Sequence, residues 1–89
     1  MKLREFRSKY MIRLMHLRDK LLEKYADQAD RVNYLVDVVM NKLKNLRMFT
    51  LTDYLHTLYM LCKEFSEFCG LIPDPDEIDE LMREKEVED

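Results

Sequence analysis

Two cysteines and two histidines are the residues whose side chains could bind a metal ion or act as nucleophiles: Cys62, Cys69, His16 and His56. A structural zinc site needs four ligands, normally with Cys-x₂₋₄-Cys or His-x₃₋₅-His spacing, and the chain has neither. Both cysteines fall on the core face of one predicted helix, about two turns or roughly 10 Å apart, which is too far for a disulfide. We therefore expect buried thiols that stay reduced or pair only between chains, which favours a reducing compartment.

Carboxylate and imidazole side chains also occur at a spacing of three, in Asp53-x-x-His56 and His16-x-x-Asp19. Di-metal helical bundles use Glu-x-x-His pairs, whereas here the acid is shorter and the second pair runs in reverse order. A helical projection places both pairs on outer faces. Neither cysteine shares a face with a histidine that could activate it, and a single glycine excludes a phosphate-binding loop. We predict no catalytic residue, no metal and no cofactor, and therefore no enzyme.

The elements that would carry any binding residues are predicted to be helices. The chain has 89 residues, of which 47% are hydrophobic and 37% charged, with one glycine and two prolines. So few turn residues cannot serve a sheet protein, so we predict an all-α fold in one domain spanning 1–89. Apolar spacings of three and four predict helices at about 2–25, 31–47, 51–69 and 75–85, with a loose tail at 86–89. Short connectors then give an up-down-up three-helix bundle with a short acidic C-terminal fourth helix.

The third predicted helix has the clearest start and end signals. Thr50 as N-cap with Asp53 three residues later fits a capping box, and Phe49 with Tyr54 fits the accompanying hydrophobic staple. Gly70 sits where a left-handed C-cap would end the helix.

The other helix starts rest on aspartates and a proline. Asp27 or Asp30 is expected to cap the second helix. Asp74 as N-cap and Pro75 at the first helical position make a strong start for the fourth helix.

Charge divides the chain into a basic and an acidic half. Residues 1–50 carry 12 Lys/Arg against 6 Asp/Glu, and residues 51–89 carry 3 against 12. Such an asymmetry suggests a polyanion-facing end, an acidic tail, or two ends that meet. Five basic residues recur along the outer side of helix one and could follow phosphates: Lys2, Lys9, Arg13, Lys20 and Lys24. The alternative is an ordinary solvated helix face.

Several apolar side chains remain after each helix is given a core face. They are Met11, Met15 and Leu22 on helix one, Tyr34, Val38 and Met48 on helix two, and Tyr59 and Met60 on helix three. The helix-one set could instead close against the fourth helix, through Ile78, Leu81 and Met82. Methionine and tyrosine are enriched at protein interfaces.

These observations predict a protein-binding or regulatory module that self-associates as a homodimer, with nucleic-acid binding through helix one as the alternative. The start of the chain is charged, and the longest stretch without a charged residue has nine residues, far short of a membrane span. We therefore expect a cytoplasmic protein with no membrane contact.

Overall fold

The computed structural model describes the backbone of residues 3–88 and the side chains of residues 3–47 and 49–83. Within residues 3–88 the chain forms four α-helices: α1 (Leu3–Lys24), α2 (Ala29–Lys44), α3 (Met48–Glu64) and α4 (Pro75–Glu88). A 3₁₀ turn at Ala26–Gln28 joins α1 to α2, and a longer 3₁₀ segment at Ser66–Leu71 follows α3. The described residues contain no strand, so the all-α prediction is confirmed.

The third helix is shorter than the sequence predicted. It ends at Glu64 because Phe65 takes an extended backbone, with φ −128° and ψ 104°. The chain then winds as a 3₁₀ helix, which has three residues per turn. Phe65, Phe68 and Leu71, spaced by three, all become buried in this arrangement. The prediction of one helix over 51–69 is therefore wrong, and the burial of these side chains is the physical reason.

The break in the helix also brings the two cysteines together. Cys62 and Cys69 form a disulfide with a Cα–Cα distance of 4.9 Å. The prediction that they are too far apart assumed one continuous helix and is wrong. Cys69 is exposed and Cys62 only partly buried, so the prediction of buried thiols is wrong as well. The inference of a reducing compartment loses its basis.

The capping predictions for α3 are also corrected. The helix begins three residues early, so Thr50 is the third helical residue and its Oγ1 accepts a hydrogen bond from the backbone N–H of Arg47. Phe49 is 88% exposed, so it forms no staple with Tyr54. Gly70 lies within the 3₁₀ segment and has no positive φ, so it is not a left-handed cap.

The other two helix starts differ in outcome. At α2 neither Asp27 nor Asp30 is the cap, because Gln28 holds that position and makes no side-chain capping bond. At α4 the helix begins at Pro75 as predicted, and the backbone N–H of Ile78 donates to the carbonyl oxygen of Asp74 at 3.1 Å.

One apolar core draws side chains from all four helices and from the 3₁₀ segment. Its largest fully buried members are Phe6 and Tyr10 on α1, Tyr54 on α3 and Phe68 on the 3₁₀ segment. The start of α1 lies beside the end of α2, where Arg7 Nη2 donates to the carbonyl oxygen of Leu46 at 3.1 Å.

The fourth helix docks on α1. Glu77 Oε1 accepts a hydrogen bond from Tyr10 Oη at 3.0 Å, and Glu77 Oε2 lies 3.3 Å from Lys9 Nζ. Leu81, one turn further along α4, is buried in the core. Met15 on α1 stays exposed, so α4 does not cover this member of the helix-one set.

Candidate interaction surfaces

The contact line between α2 and α3 is marked at both ends by an ion pair. Arg31 Nη2 lies 3.0 Å and 3.1 Å from the two carboxylate oxygens of Glu64, and Lys42 Nζ pairs with Asp53. Lys42 comes eleven residues after Arg31, and Asp53 comes eleven residues before Glu64. The two helices are therefore antiparallel with a constant register. Each step of one residue towards the C-terminus of α2 corresponds to a step of one residue towards the N-terminus of α3.

This register places two large exposed apolar side chains at nearly the same height on the two helices. Tyr34, three residues after Arg31, is level with Leu61, three residues before Glu64, and so lies within one residue of the level of Met60. Tyr34 is 62% exposed and Met60 is 55% exposed, so neither is used in the core of its own chain. Val38, one turn along α2 from Tyr34, is half-buried.

Phe49 extends the same surface towards the start of α3. It precedes Met60 by eleven residues, about three helical turns, so the two side chains project from the same side of α3. We call Tyr34, Val38, Phe49 and Met60, with the two ion pairs, the α2–α3 outer face. Single exposed apolar residues are ordinary on a protein surface, whereas several on one side of a pair of helices indicate a candidate interaction site.

The two ion pairs give this face its charge pattern rather than its stability. The Arg31 and Glu64 side chains are each about half exposed. Solvent-exposed pairs of this kind contribute only about 0.2–1 kcal/mol. Each end of the contact line therefore presents a cation on α2 and an anion on α3.

The other predicted interface residues whose side chains are described differ in burial and lie outside the α2–α3 outer face. Met11, Leu22, Ile78 and Met82 are partly buried, and Leu81 is buried within the core. Met15 and Tyr59 are exposed but lie outside the α2–α3 outer face. The Met48 side chain lies outside the described residues. Sequence reasoning missed two exposed apolar residues, Ile12 and Phe49.

The basic row of α1 meets carboxylates of the acidic half. Lys24 Nζ lies 2.8 Å from Glu67 Oε1, and Lys9 pairs with Glu77. Arg13 stacks over the ring of Tyr10, with its guanidinium carbon 4.9 Å from the ring centroid. These contacts fit the interpretation that the two charged ends meet within the chain.

Two further residues belong to the same row. Lys20 lines an open groove of about 270 Å³ together with Arg13, His16 and Glu67. Lys2 lies outside the described residues. Because part of the row is already paired with carboxylates, it offers fewer free charges to phosphates than the sequence suggested.

The two carboxyls that meet the basic row have lowered pKa values. The hydrogen bond from Lys24 lowers the pKa of Glu67, whose side chain is only 8% exposed. Burial raises the pKa of Glu77, but the hydrogen bonds from Tyr10 and Lys9 and from the backbone outweigh it, and the net shift is downward. Burial, together with the bond to Glu77, raises the pKa of Tyr10 to about 12.

These shifts predict that the chain loses stability in acid. A carboxyl whose pKa is lower in the folded state stabilises the fold above its ordinary value of 4.5, and this contribution is lost as the pH falls through the folded-state pKa. We expect urea midpoints to fall steadily below pH 4.5 in the wild type. The double variant Glu67→Gln/Glu77→Gln should be less stable at pH 7 and show a flatter pH profile. Parallel profiles for the two proteins would contradict the assignment.

In comparisons with known proteins, no family model, no curated protein and no solved structure matches this chain. Within residues 3–88, no helix combines the length and apolarity needed to cross a bilayer. The described side chains include no group of three or more His, Cys, Asp or Glu residues placed to hold a metal ion.

Proposed function

We propose that this chain is a non-enzymatic protein-binding module with a regulatory role, and that it binds through the α2–α3 outer face. The observation that carries the proposal is the position of Tyr34 and Met60. Each is more than half exposed, and the register of α2 and α3 puts them within one residue of the same level. Tyrosine brings a large apolar ring with a polar tip, and methionine adapts its shape to a partner, so both are favoured at interfaces.

The proposed architecture is an up-down-up bundle of α1, α2 and α3, with α4 docked on α1. Two contacts support it: Arg7 reaches Leu46 at the α1–α2 end, and Arg31 reaches Glu64 at the α2–α3 end. The cytoplasmic location is a prediction from the sequence alone. The disulfide opposes it, because disulfides persist mainly in oxidising compartments.

We place protein binding ahead of nucleic-acid binding because of the electrostatics of α1. Nucleic-acid affinity depends on Lys and Arg side chains that release counterions from phosphates. Lys9 and Lys24 already pair with carboxylates, and these acids would repel a phosphate backbone. The α2–α3 outer face instead presents exposed apolar side chains, which a protein partner can bury.

Site-specific photo-crosslinking tests the proposal. The photoreactive residue p-benzoylphenylalanine is placed at position 34, and at Asn33 as the matched control, because Asn33 is also exposed on α2 but projects about 100° away. We expect a discrete protein adduct from position 34 and none from position 33, both with the purified chain and in extract of its source cells. Absence of an adduct from position 34 under both conditions would overturn the proposal.

A further inference from the structure

We infer that the protein bound by the α2–α3 outer face is a second copy of this chain, related by a twofold axis that runs parallel to the α2–α3 contact line. In this dimer α2 of each copy lies over α3 of the other. The inference rests on the proposed function for the choice of face, and it adds the partner and the geometry.

Charge complementarity selects this axis. With the axis parallel to the contact line, the cations of α2 lie over the anions of α3: Arg31 of one copy faces Glu64 of the second copy, and Lys42 faces Asp53. At each end, the ion pair of one copy lies over the same ion pair of the second copy in the opposite order. The four charges therefore alternate in sign around a ring. A complementary rim of this kind suppresses wrong alignments and fixes the register of an interface.

The other twofold axis in the plane of the face is unfavourable. With the axis perpendicular to the contact line, α2 lies over α2, and Arg31 faces Lys42 of the second copy. In the same arrangement Glu64 faces Asp53, so both ends bring like charges together. The charge pattern is therefore self-complementary in only one of these two orientations.

The apolar side chains of Tyr34 and Met60 are also compatible with this twofold axis. Because Tyr34 and Met60 lie within one residue of the same level on neighbouring helices, the axis parallel to the contact line brings Tyr34 of one copy close to Met60 of the second copy. The reciprocal contact forms at the same time, as required in a twofold interface. Methionine sulfur and an aromatic ring attract each other, so the exposed pair gains a specific contact as well as burial.

The size of the face predicts a reversible dimer. The 16 residues of α2 span roughly 24 Å, and two adjacent helices are roughly 20 Å wide, so each copy buries about 500 Å². The total of about 1,000 Å² is at the low end for specific protein interfaces. We therefore expect a dissociation constant in the micromolar range and a monomer that folds alone.

Sedimentation velocity of charge-reversal variants tests both the partner and the axis. The variants Arg31→Glu and Glu64→Arg each place like charges together in their own homodimer. Mixed with each other, they restore both attractive contacts between positions 31 and 64 of the two copies, and the Lys42–Asp53 end is unchanged in every variant. We expect wild-type dimerisation between about 1 and 200 µM, at least tenfold weaker dimerisation of each variant alone, and recovery close to wild type in the equimolar mixture.

The matched control is Lys44→Glu, a charge reversal on α2 at an exposed position away from the face, which should leave the dissociation constant unchanged. Stronger dimerisation of Arg31→Glu would overturn the proposed axis, since it is expected only if position 31 faces Lys42 of the second copy. If a charge reversal disturbs folding, Tyr34→Ser/Met60→Ser replaces it. A folded, monomeric double variant supports the inference, and an unchanged dimer overturns it.

The outcomes separate this inference from the proposed function. A wild-type chain that stays monomeric up to about 200 µM overturns the dimer. A photo-crosslink from position 34 to a different protein would then leave the binding face in place with another partner. Loss of both the dimer and every crosslink would overturn the two proposals together.

Discussion

Replacing Phe68 with alanine should lower the free energy of unfolding by about 3–5 kcal/mol, the usual cost of removing a buried phenylalanine ring. Phe68 is fully buried, and its ring packs edge-on against Phe65 with 6.3 Å between ring centroids. The loss combines the apolar transfer energy with the cavity left among neighbours that relax only in part. A loss of this size is a large part of the stability of a small domain.

Phe49→Ala is the matched control, because the same atoms are removed from a side chain that is 88% exposed. Urea unfolding at a protein concentration low enough to keep the chain monomeric should show a change within about 0.5 kcal/mol. Equal losses for the two variants would show that the 3₁₀ segment is not part of the core. The comparison therefore tests the feature that most separates this fold from a simple row of α-helices.

The sequence predicts that α1 and α2 exist because their apolar residues repeat at spacings of three and four over long stretches, and it predicts the start of α4 from Asp74 and Pro75. The predicted bounds are less accurate: α2 runs over Ala29–Lys44 rather than 31–47, and α4 continues to Glu88, where a loose tail was expected from 86. The prediction fails at the end of α3 for a definite reason. Phe65, Phe68 and Leu71 are spaced by three, which fits one face of an α-helix and also a 3₁₀ helix. Only the packing of the Phe65 and Phe68 rings against the core decides between the α-helix and the 3₁₀ helix. This packing involves residues that are distant in the sequence. The disulfide was missed for the same reason.

The start of α3 shows a second kind of ambiguity. A threonine near a helix start can be the N-cap residue itself. It can also lie at the third helical position, as Thr50 does here, and accept a hydrogen bond from the backbone N–H of the N-cap residue. Because Thr50 takes the second role, α3 begins three residues earlier than predicted. The earlier start also turned Phe49 from an expected staple into the most exposed large apolar side chain of the described residues. Phe49 was therefore missing from the predicted interface.

Of the apolar members of the candidate face, Tyr34, Val38 and Met60 were predicted from the sequence, whereas Phe49 and the arrangement of the face were not. Tyr34 and Met60 stand out in the sequence as apolar residues off the core stripe. Their similar level depends on how α2 and α3 slide along each other, which the Arg31–Glu64 contact reveals. In the same way, the charge asymmetry suggested that the two halves of the chain meet. Only the fold shows that Glu67 and Glu77 are the carboxylates that do so.

Reduction of the Cys62–Cys69 disulfide should lower the free energy of unfolding by about 2.5 kcal/mol and the melting temperature by about 10–20 °C. The bond closes a loop of eight residues, and its loss returns conformational entropy to the unfolded chain. The loop contains Phe65 and Phe68, so it holds the 3₁₀ segment where the core needs it.

Thermal unfolding with and without dithiothreitol measures the effect of reduction, and Cys62→Ser/Cys69→Ser supplies the control. This variant should melt close to the reduced wild type and should not respond to dithiothreitol. Equal melting temperatures for the oxidised and reduced wild type would show that core packing alone positions the 3₁₀ segment.

Reduction should leave the α2–α3 outer face intact at temperatures where the chain stays folded. Cys62 follows Met60 by two residues, which turns its side chain about 200° around α3, so the disulfide lies on the other side of the helix. The dissociation constant of the dimer should therefore be the same for oxidised and reduced protein, provided that circular dichroism shows equal helicity. A dimer that dissociates on reduction without loss of helicity would mean that the 3₁₀ segment contributes to the interface, and the twofold axis would have to be placed elsewhere.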